Sequence, residues 1–348
     1  MQPHKSLKLI NYPKVAIVIL NWNGKTHLQE FLPSVFNSSY PNLEIIVGDN
    51  DSTDESVDFL TEFFPLIKVI RNEKNFGFAE GYNKVLKQVE ADYFILLNSD
   101  VEVTRDWISP VVELMESDEK IAIAQPKIRS YFRKTHFEYA GAAGCFIDSL
   151  AYPFCRGRIF DAVEEDNGQY DADMEIFWAA GCALFIKAPI WKRLNGLDEA
   201  FFAHMEEIDL CWRAKNLGYK VMYCGQSTIY HIGGGTLNVE SPFKTYLNFR
   251  NNHFLIKKNI PPAKATLLII IRFLLDFIAL LKFVFEGKKR NAFAVFKAHS
   301  HVLRAFFKGE IKYNRDICKK PNLVGRYRGS IVWQYFIMGR KYFSKIWE

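Results

Sequence analysis

The chain has 348 residues and six cysteines, at positions 145, 155, 182, 211, 224 and 318, yet no C-x-x-C pair. That absence argues against a thiolate zinc site. Several of the six sit in apolar runs, as buried thiols do. No signal peptide stands at the N-terminus, so a reducing cytosol is the expected compartment. The chain also lacks a clean apolar run long enough to cross a bilayer. The best stretch, residues 265–285, is broken by Arg272, Asp276 and Lys282, each costing about 2.5–3.5 kcal/mol near a bilayer centre.

What is present is an apolar content of 49%, with 30 Phe, 16 Tyr and 7 Trp. That suffices for a large core and leaves aromatics for interfaces. The net charge of +6 hides an asymmetry. Residues 244–348 hold 22 Lys and Arg against 5 Asp and Glu, whereas residues 1–243 hold 23 against 34. A basic tail on an acidic body points to an anionic partner, either nucleic acid or an anionic membrane surface. At about 100° per residue, Lys264, Arg272, Asp276, Lys282, Glu286 and Arg290 fall within an arc of roughly 120°. Lys297, His301, Arg304 and Lys308 repeat the pattern. These spacings predict amphipathic helices lying on a membrane, with ordinary packed helices as the alternative.

The body alternates strand and helix. Lys14–Leu20, Leu43–Val47, Ile67–Ile70 and Tyr93–Leu97 read as buried strands, and Thr26–Phe36 and Gly77–Val89 as helices between them. This rhythm predicts a parallel sheet with right-handed crossovers. Polar clusters follow the strands at 21–24, 49–54 and 98–100, so they gather on one rim, where open α/β sheets place nucleotide sites. Asp100 ends the run YFILLNSD and suits a hard cation beside phosphates. Residues 125–175 are irregular and give no clear elements. Lys220–Cys224 reads as a further strand, followed by His231 and the glycines 233–235.

The segment Met205–Arg213 carries three acids in four residues. At helical spacing Asp209 and Arg213 form an i,i+4 ion pair. Glu207 lies nearer the apolar side, where partial desolvation raises a carboxyl pKa and suits general-base work. An acidic first turn complementing the helix dipole is the structural alternative. His231, close to a carboxylate, is a candidate metal ligand.

The ordered set VAIVILNWNG (15–24), D-N-x-S-x-D (49–54), N-x-G-F-A-x-G-x-N (75–83), LNSD (97–100) and GLDEAFFAHMEEIDLCWR (196–213) resembles glycosyltransferase family 2, especially its rhamnosyltransferase-like bacterial branch. The resemblance covers roughly residues 13–260. It implies the GT-A fold, a Rossmann-like α/β domain with a mostly parallel central sheet, over residues 14–260. A polar lead (1–13) would precede it and a basic amphipathic helical tail (261–348) would follow.

The resemblance also implies an inverting, metal-dependent hexosyltransferase with Mg²⁺ or Mn²⁺ and a UDP- or dTDP-sugar donor. Asn21, Asp49, Asn50, Asn75, Gly77, Asn83, Asn98 and Gly181 would contact the nucleotide. Asp100, standing at the D-x-D-type position, would ligate the metal, with His231 as a further ligand. Glu207 would be the base, with Glu206 as its alternate and Asp209 completing the acidic catalytic set. This sequence has Glu at 207 where the family commonly has Asp, and Asn98 as the first member of its D-x-D-like motif.

The expected acceptor is a surface polysaccharide or lipid-linked glycan. The expected location is peripheral, on the cytoplasmic face of the bacterial inner membrane, with no nucleic-acid partner. A sugar-nucleotide nucleotidyltransferase is the rival enzyme, but the Gly-rich N-terminal loop with Arg or Lys that it requires is missing. A non-catalytic protein binding a nucleotide or nucleic acid is the other rival.

Overall fold

The computed structural model describes residues 12–138, 141–233, 241–316 and 321–347. Most of the N-terminal lead, the glycines at 234 and 235, and Cys318 lie outside them. The body runs β1 (Val15–Asn21), α1 (Lys25–Phe36), β2 (Leu43–Asp49), α2 (Ser56–Phe63), β3 (Lys68–Arg71), α3 (Gly77–Leu86), β4 (Tyr93–Leu97), β5 (Val101–Val103), α4 (Ser109–Glu116) and β6 (Ile121–Ser130). Short strands β7 (Cys145–Ile147), β8 (Pro153–Cys155), β9 (Arg158–Ile159) and β10 (Ala162–Val163) form a separate antiparallel sheet. Then come β11 (Met174–Ile176), β12 (Ala183–Lys187), α5 (Ala188–Arg193), α6 (Glu206–Asn216) and β13 (Lys220–His231).

The main sheet is ordered β11-β13-β6-β12-β4-β1-β2-β3, with β5 also on β13. β4, β1, β2 and β3 are parallel, as the strand–helix rhythm predicts. β12 enters antiparallel between β4 and β6, so the sheet as a whole is mixed. β1, β4 and β12 are apolar along almost their whole length and buried on both faces, which suits the centre of a sheet covered by helices. The five described cysteines are buried, and none is in a disulfide.

Three long helices follow the body, α7 (Pro242–Asn259), α8 (Pro262–Phe285) and α9 (Lys289–Phe307), and short helical turns at Trp333–Ile337 and Phe343–Lys345 come after them. Pro261 and Pro262 end one helix and start the next. The three pack on one another, and α7 also packs on α6. The polar arc expected along α8 is split: Lys264, Lys282, Glu286 and Arg290 are exposed, but its middle is not. Arg272 and Asp276 point inward with Ala265 and Ile269, and all four are buried. Leu267, Ile270, Ile271, Leu274, Phe277, Ile278, Leu281, Val284 and Phe285 are exposed on the other side.

The inward face is held by a polar network. Asp276 Oδ2 lies 2.9 Å from His253 Nε2 of α7 and 3.2 Å from His299 Nε2 of α9, while Arg272 reaches Oδ1 at 3.5 Å. A buried carboxylate is stable only when donors surround it, and here one carboxylate ties three helices together. Among the described residues, no helix is long and apolar enough to cross a membrane.

Candidate active site

The carboxyl ends of β1, β2 and β4 meet on one rim. Register sets Asn21 of β1 opposite Asp49 of β2 and aligns Ile19 with Leu97 of β4. Asn21 Nδ2 donates to Asp49 Oδ1 (3.4 Å) and Ser52 Oγ (3.1 Å), and the Ser52 amide donates to Asp49 Oδ2. This ties the first two polar clusters together. Asn50 turns back into the protein. Its amide donates to Asn75 Oδ1 and Gly77 O, and its oxygen accepts from Asn72 and Phe76. Asn50, expected at the nucleotide, therefore shapes the loop that presents exposed Asn75.

Gly77 and Asn83 also differ from expectation. Gly77 has φ +74°, and a Cβ there would lie 2.6 Å from the Phe202 ring. The amides of Phe78 and Ala79 donate to Phe202 O. The close approach that glycine permits is thus made by the chain's own Phe202. Asn83 Nδ2 donates to Leu197 O (2.8 Å) and its Oδ1 accepts from the Leu197 amide (2.9 Å). Its amide fixes the loop before α6 rather than a base.

Asp100 and His231 are brought together by topology. β5 pairs antiparallel with the end of β13, with Val101 opposite His231, which places His231 Nε2 3.2 Å from Asp100 Oδ1. Asn98 Nδ2 lies 3.5 Å from the same nitrogen. On the other side, His231 Nδ1 lies 3.4 Å from Glu138 Oε2. Glu138 was not foreseen. Its only signal is an acid among the apolar residues of HFEYAGAAGC. Burial alone would lower the His231 pKa, but hydrogen bonds and charge from Asp100 and Glu138 raise it to about 10. Burial likewise pushes Asp100 up, and His231 outweighs it, leaving the carboxyl below its ordinary value. One carboxylate and one imidazole, both buried and oriented from behind by a second acid, fit a Mn²⁺ or Mg²⁺ site whose other ligands are phosphate and water.

The acids of α6 have different fates. Phe202, His204 and Met205 all have positive φ (64°, 67° and 73°) immediately before Glu206, a strained entry of the kind that clusters at functional sites. Three groups hold this loop: Asn83, the Asn251 amide on the carbonyls of Phe201, Ala203 and His204, and Arg250 on those of Ala200 and Phe201. Glu206 is buried, and burial followed by the Glu207 charge pushes its pKa well above 4.5. Glu207 is raised to about 7 by burial, opposed by backbone N–H groups of Met205, Glu207 and Ile208.

Gly181 adjoins this acid. A Cβ there would touch the Glu207 Cβ and Cγ at 3.7 Å. Asp209, grouped with the catalytic acids at the sequence level, is instead locked away. It pairs with Arg213 at 2.6 Å, as its spacing predicts, and also with Lys258 (3.0 Å) and Asn259 (2.8 Å) of α7. Burial would raise its pKa, but the Lys258 and Arg213 charges and the Asn259 hydrogen bond bring it down to about 2.

The two clusters share a floor. The Cys182 thiol is raised first by burial, then by the charges of Glu138, Asp100 and Glu207. Ten buried side-chain polar atoms among the described residues lack a hydrogen-bond partner. Five belong to this region: Asn21 Oδ1, His204 Nε2, Glu206 Oε2, Glu207 Oε2 and His231 Nδ1, the last facing Glu138. Buried polar atoms are normally paired, so such a concentration marks where a ligand supplies partners.

Comparison with known proteins agrees with this geometry. A model of the family "Glycosyl transferase family 2" matches residues 16–161. An uncharacterised glycosyltransferase of Haemophilus influenzae is 32% identical over 114 residues, 32% of this chain and 35% of that protein. The chain therefore spans about a third of that relative's length. The N-acetylglucosaminyl-diphospho-decaprenol L-rhamnosyltransferase of Mycobacterium tuberculosis is 19% identical over 233 residues, 62% of this chain and 75% of that enzyme. A mannosyltransferase from Pyrobaculum calidifontis, solved with GDP-mannose and Mn²⁺, superposes with a TM-score of 0.53 at 13% identity, covering 84% of this chain and 88% of that one. Residues 16–161 thus match glycosyltransferase family 2, and the chain has the GT-A fold.

Proposed function

We propose that the protein is an inverting, metal-dependent glycosyltransferase that moves a sugar from a nucleoside-diphosphate donor to a hydroxyl of a lipid-linked or surface glycan. The carrying observation is the cluster of unpartnered buried polar atoms around Asn21, Glu206 and Glu207, on the same floor as Asp100 and His231. In this reading Asn21, Asp49 and Asn75 face the nucleoside, and Asn98 borders the diphosphate. Asp100 and His231 would hold the metal, which when bound supplies positive charge to the leaving diphosphate.

Glu207 takes the proton from the acceptor hydroxyl. The freed oxygen attacks the anomeric carbon from the face opposite the nucleoside diphosphate, and the bond from that carbon to the diphosphate oxygen breaks with its electron pair leaving on the diphosphate. A single displacement of this kind inverts the anomeric centre. Glu207 suits the role because its pKa of about 7 leaves it part-ionised near neutrality yet basic enough to accept a proton.

A UDP or dTDP donor and a lipid-borne acceptor are the finer parts of the proposal. The named substrate of the mycobacterial relative is a polyprenyl-diphosphate glycan, and the bound donor of the Pyrobaculum enzyme is a nucleotide-sugar. We place the protein on the cytoplasmic face of the inner membrane, on the strength of the outward apolar face of α8 and the basic tail. The test is a screen of nucleotide-sugars with Mn²⁺ for nucleoside diphosphate release, run on the full chain and on Asp100→Ala. Release that Asp100→Ala abolishes supports the reading. Pyrophosphate as the product would turn it into a nucleotidyltransferase.

A further inference from the structure

Helix α9 carries two adjoining edges that the proposed chemistry leaves unused. At about 100° per residue, exposed Phe293, Phe296, Leu303 and Phe307 share one edge, and Lys297, His301 and Arg304 lie on the next. A cleft of about 450 Å³ opens there, lined by Lys297, Ser300, His301, Arg304 and Glu310. Its charge is one-sided. Glu310, the single acid of the lining, sits 4.0 Å from Lys308. Among the described residues Lys297 and Arg304 have no carboxylate at ion-pair distance.

Behind the cleft Arg250 donates to the carbonyls of Ala200 and Phe201 and to Asn251 Oδ1, so its charge too has no carboxylate partner. His301, hydrogen-bonded to the Tyr246 hydroxyl, registers this surplus. Burial lowers its pKa first, Arg250, Arg304 and Lys297 lower it further, and only Glu310 opposes them. An anion with several oxygens would relieve the repulsion, taken by the arginine fork and the lysine ammonium together.

The apolar edge beside the cleft decides what kind of anion. On α8, the helix packed beside α9, nine further large apolar side chains are exposed along one face. Soluble monomers seldom leave so much contiguous apolar surface in water. Lys282 of α8 lies over the Phe336 ring, and after exposed Phe336, Ile337 and Met338 comes a second basic cleft, of about 310 Å³, lined by Arg340, Lys341 and Lys345. Apolar surface bordered by clefts rich in cations matches acyl chains bordered by phosphates.

We propose that the α9 cleft binds the phosphate of an anionic phospholipid headgroup, through Lys297 and Arg304, while Phe293, Phe296, Leu303 and Phe307 enter the acyl boundary. This rests on the membrane placement proposed above and assigns it a specific headgroup site.

Co-sedimentation of the full chain with phosphatidylcholine vesicles, with and without phosphatidylglycerol, tests it. The wild type binds phosphatidylglycerol vesicles more tightly. Lys297→Ala/Arg304→Ala loses that preference by on the order of thirtyfold, from about fivefold per basic residue at the surface, and binds phosphatidylcholine as the wild type does. Phe296→Ser/Phe307→Ser weakens binding to both vesicles. A charge-matched control on the body, Lys68→Ala/Lys87→Ala, binds like the wild type. Circular dichroism melts confirm that each variant is folded. A phosphatidylglycerol preference that survives Lys297→Ala/Arg304→Ala, or that the control loses equally, overturns the cleft alone. A wild type that binds neither vesicle overturns the membrane placement and the cleft with it.

Discussion

Glu206 and Glu207 are neighbours in sequence with different electrostatic surroundings. Glu206 is enclosed and meets the charge of Glu207, which together push its carboxyl well above the ordinary range. Glu207 has backbone N–H groups of the first turn of α6 to hold its anion, and titrates at about 7. If Glu207 is the base, kcat/KM rises with pH through about 7 and levels off above it, and Glu207→Gln removes that limb; a pH–rate profile of both proteins checks this. Stability moves the opposite way. The folded carboxyl holds its proton more tightly than the unfolded one, so the fold loses stability as pH rises from 4.5 to about 7. The Tm gap between Glu207→Gln and the wild type should therefore widen in favour of the variant across that window.

At this same scale, the acidic triplet and the Asp209–Arg213 pair were legible from spacing alone. The partners that make Asp209 structural, Lys258 and Asn259, were not, because they come from α7 some fifty residues away.

At the scale of elements, the loop before α6 depends on α7. Asn251 donates to the carbonyls of Phe201, Ala203 and His204, around residues with positive φ, so Asn251→Ala frees the strained segment that positions Glu207. It should lower kcat more than the donor KM and destabilise the fold by about 1–3 kcal/mol, read by steady-state kinetics and thermal melts.

Helix α8 shows what periodicity leaves open. The spacing correctly grouped Arg272 and Asp276 on one face, but a helical pattern does not say which face turns inward. Here the partners His253 and His299, supplied by other helices, make burial of the charged face favourable. Asp276→Ala should then cost about 3–5 kcal/mol, since it leaves Arg272 buried without its carboxylate, and denaturant unfolding would show it.

For the whole molecule, β1, β2 and β4 were readable because each is built on an apolar run followed by a polar rim. Residues 131–173 were not, since strands β7 to β10 are two or three residues long, too short for a period to show, and pair as small local hairpins. Glu138 lies in that region, which is why the outer partner of His231 escaped notice while Asp100 and His231 did not. If Glu138 orients His231 for a metal, Glu138→Gln should raise the Mn²⁺ concentration for half-maximal nucleoside diphosphate release by about 10–100-fold, with the donor KM nearly unchanged.

The division of labour between the two adjacent glutamates is the centre of the mechanism, and the transfer rates of Glu206→Gln and Glu207→Gln, measured side by side on the full chain, test it most directly. Gln resembles the neutral form that burial and the Glu207 charge favour at Glu206, so Glu206→Gln should keep its rate within about tenfold. Glu207→Gln should lose about 10²–10⁴-fold, the usual worth of a positioned base. Near wild-type transfer by Glu207→Gln, or a larger loss in Glu206→Gln, would contradict the assignment.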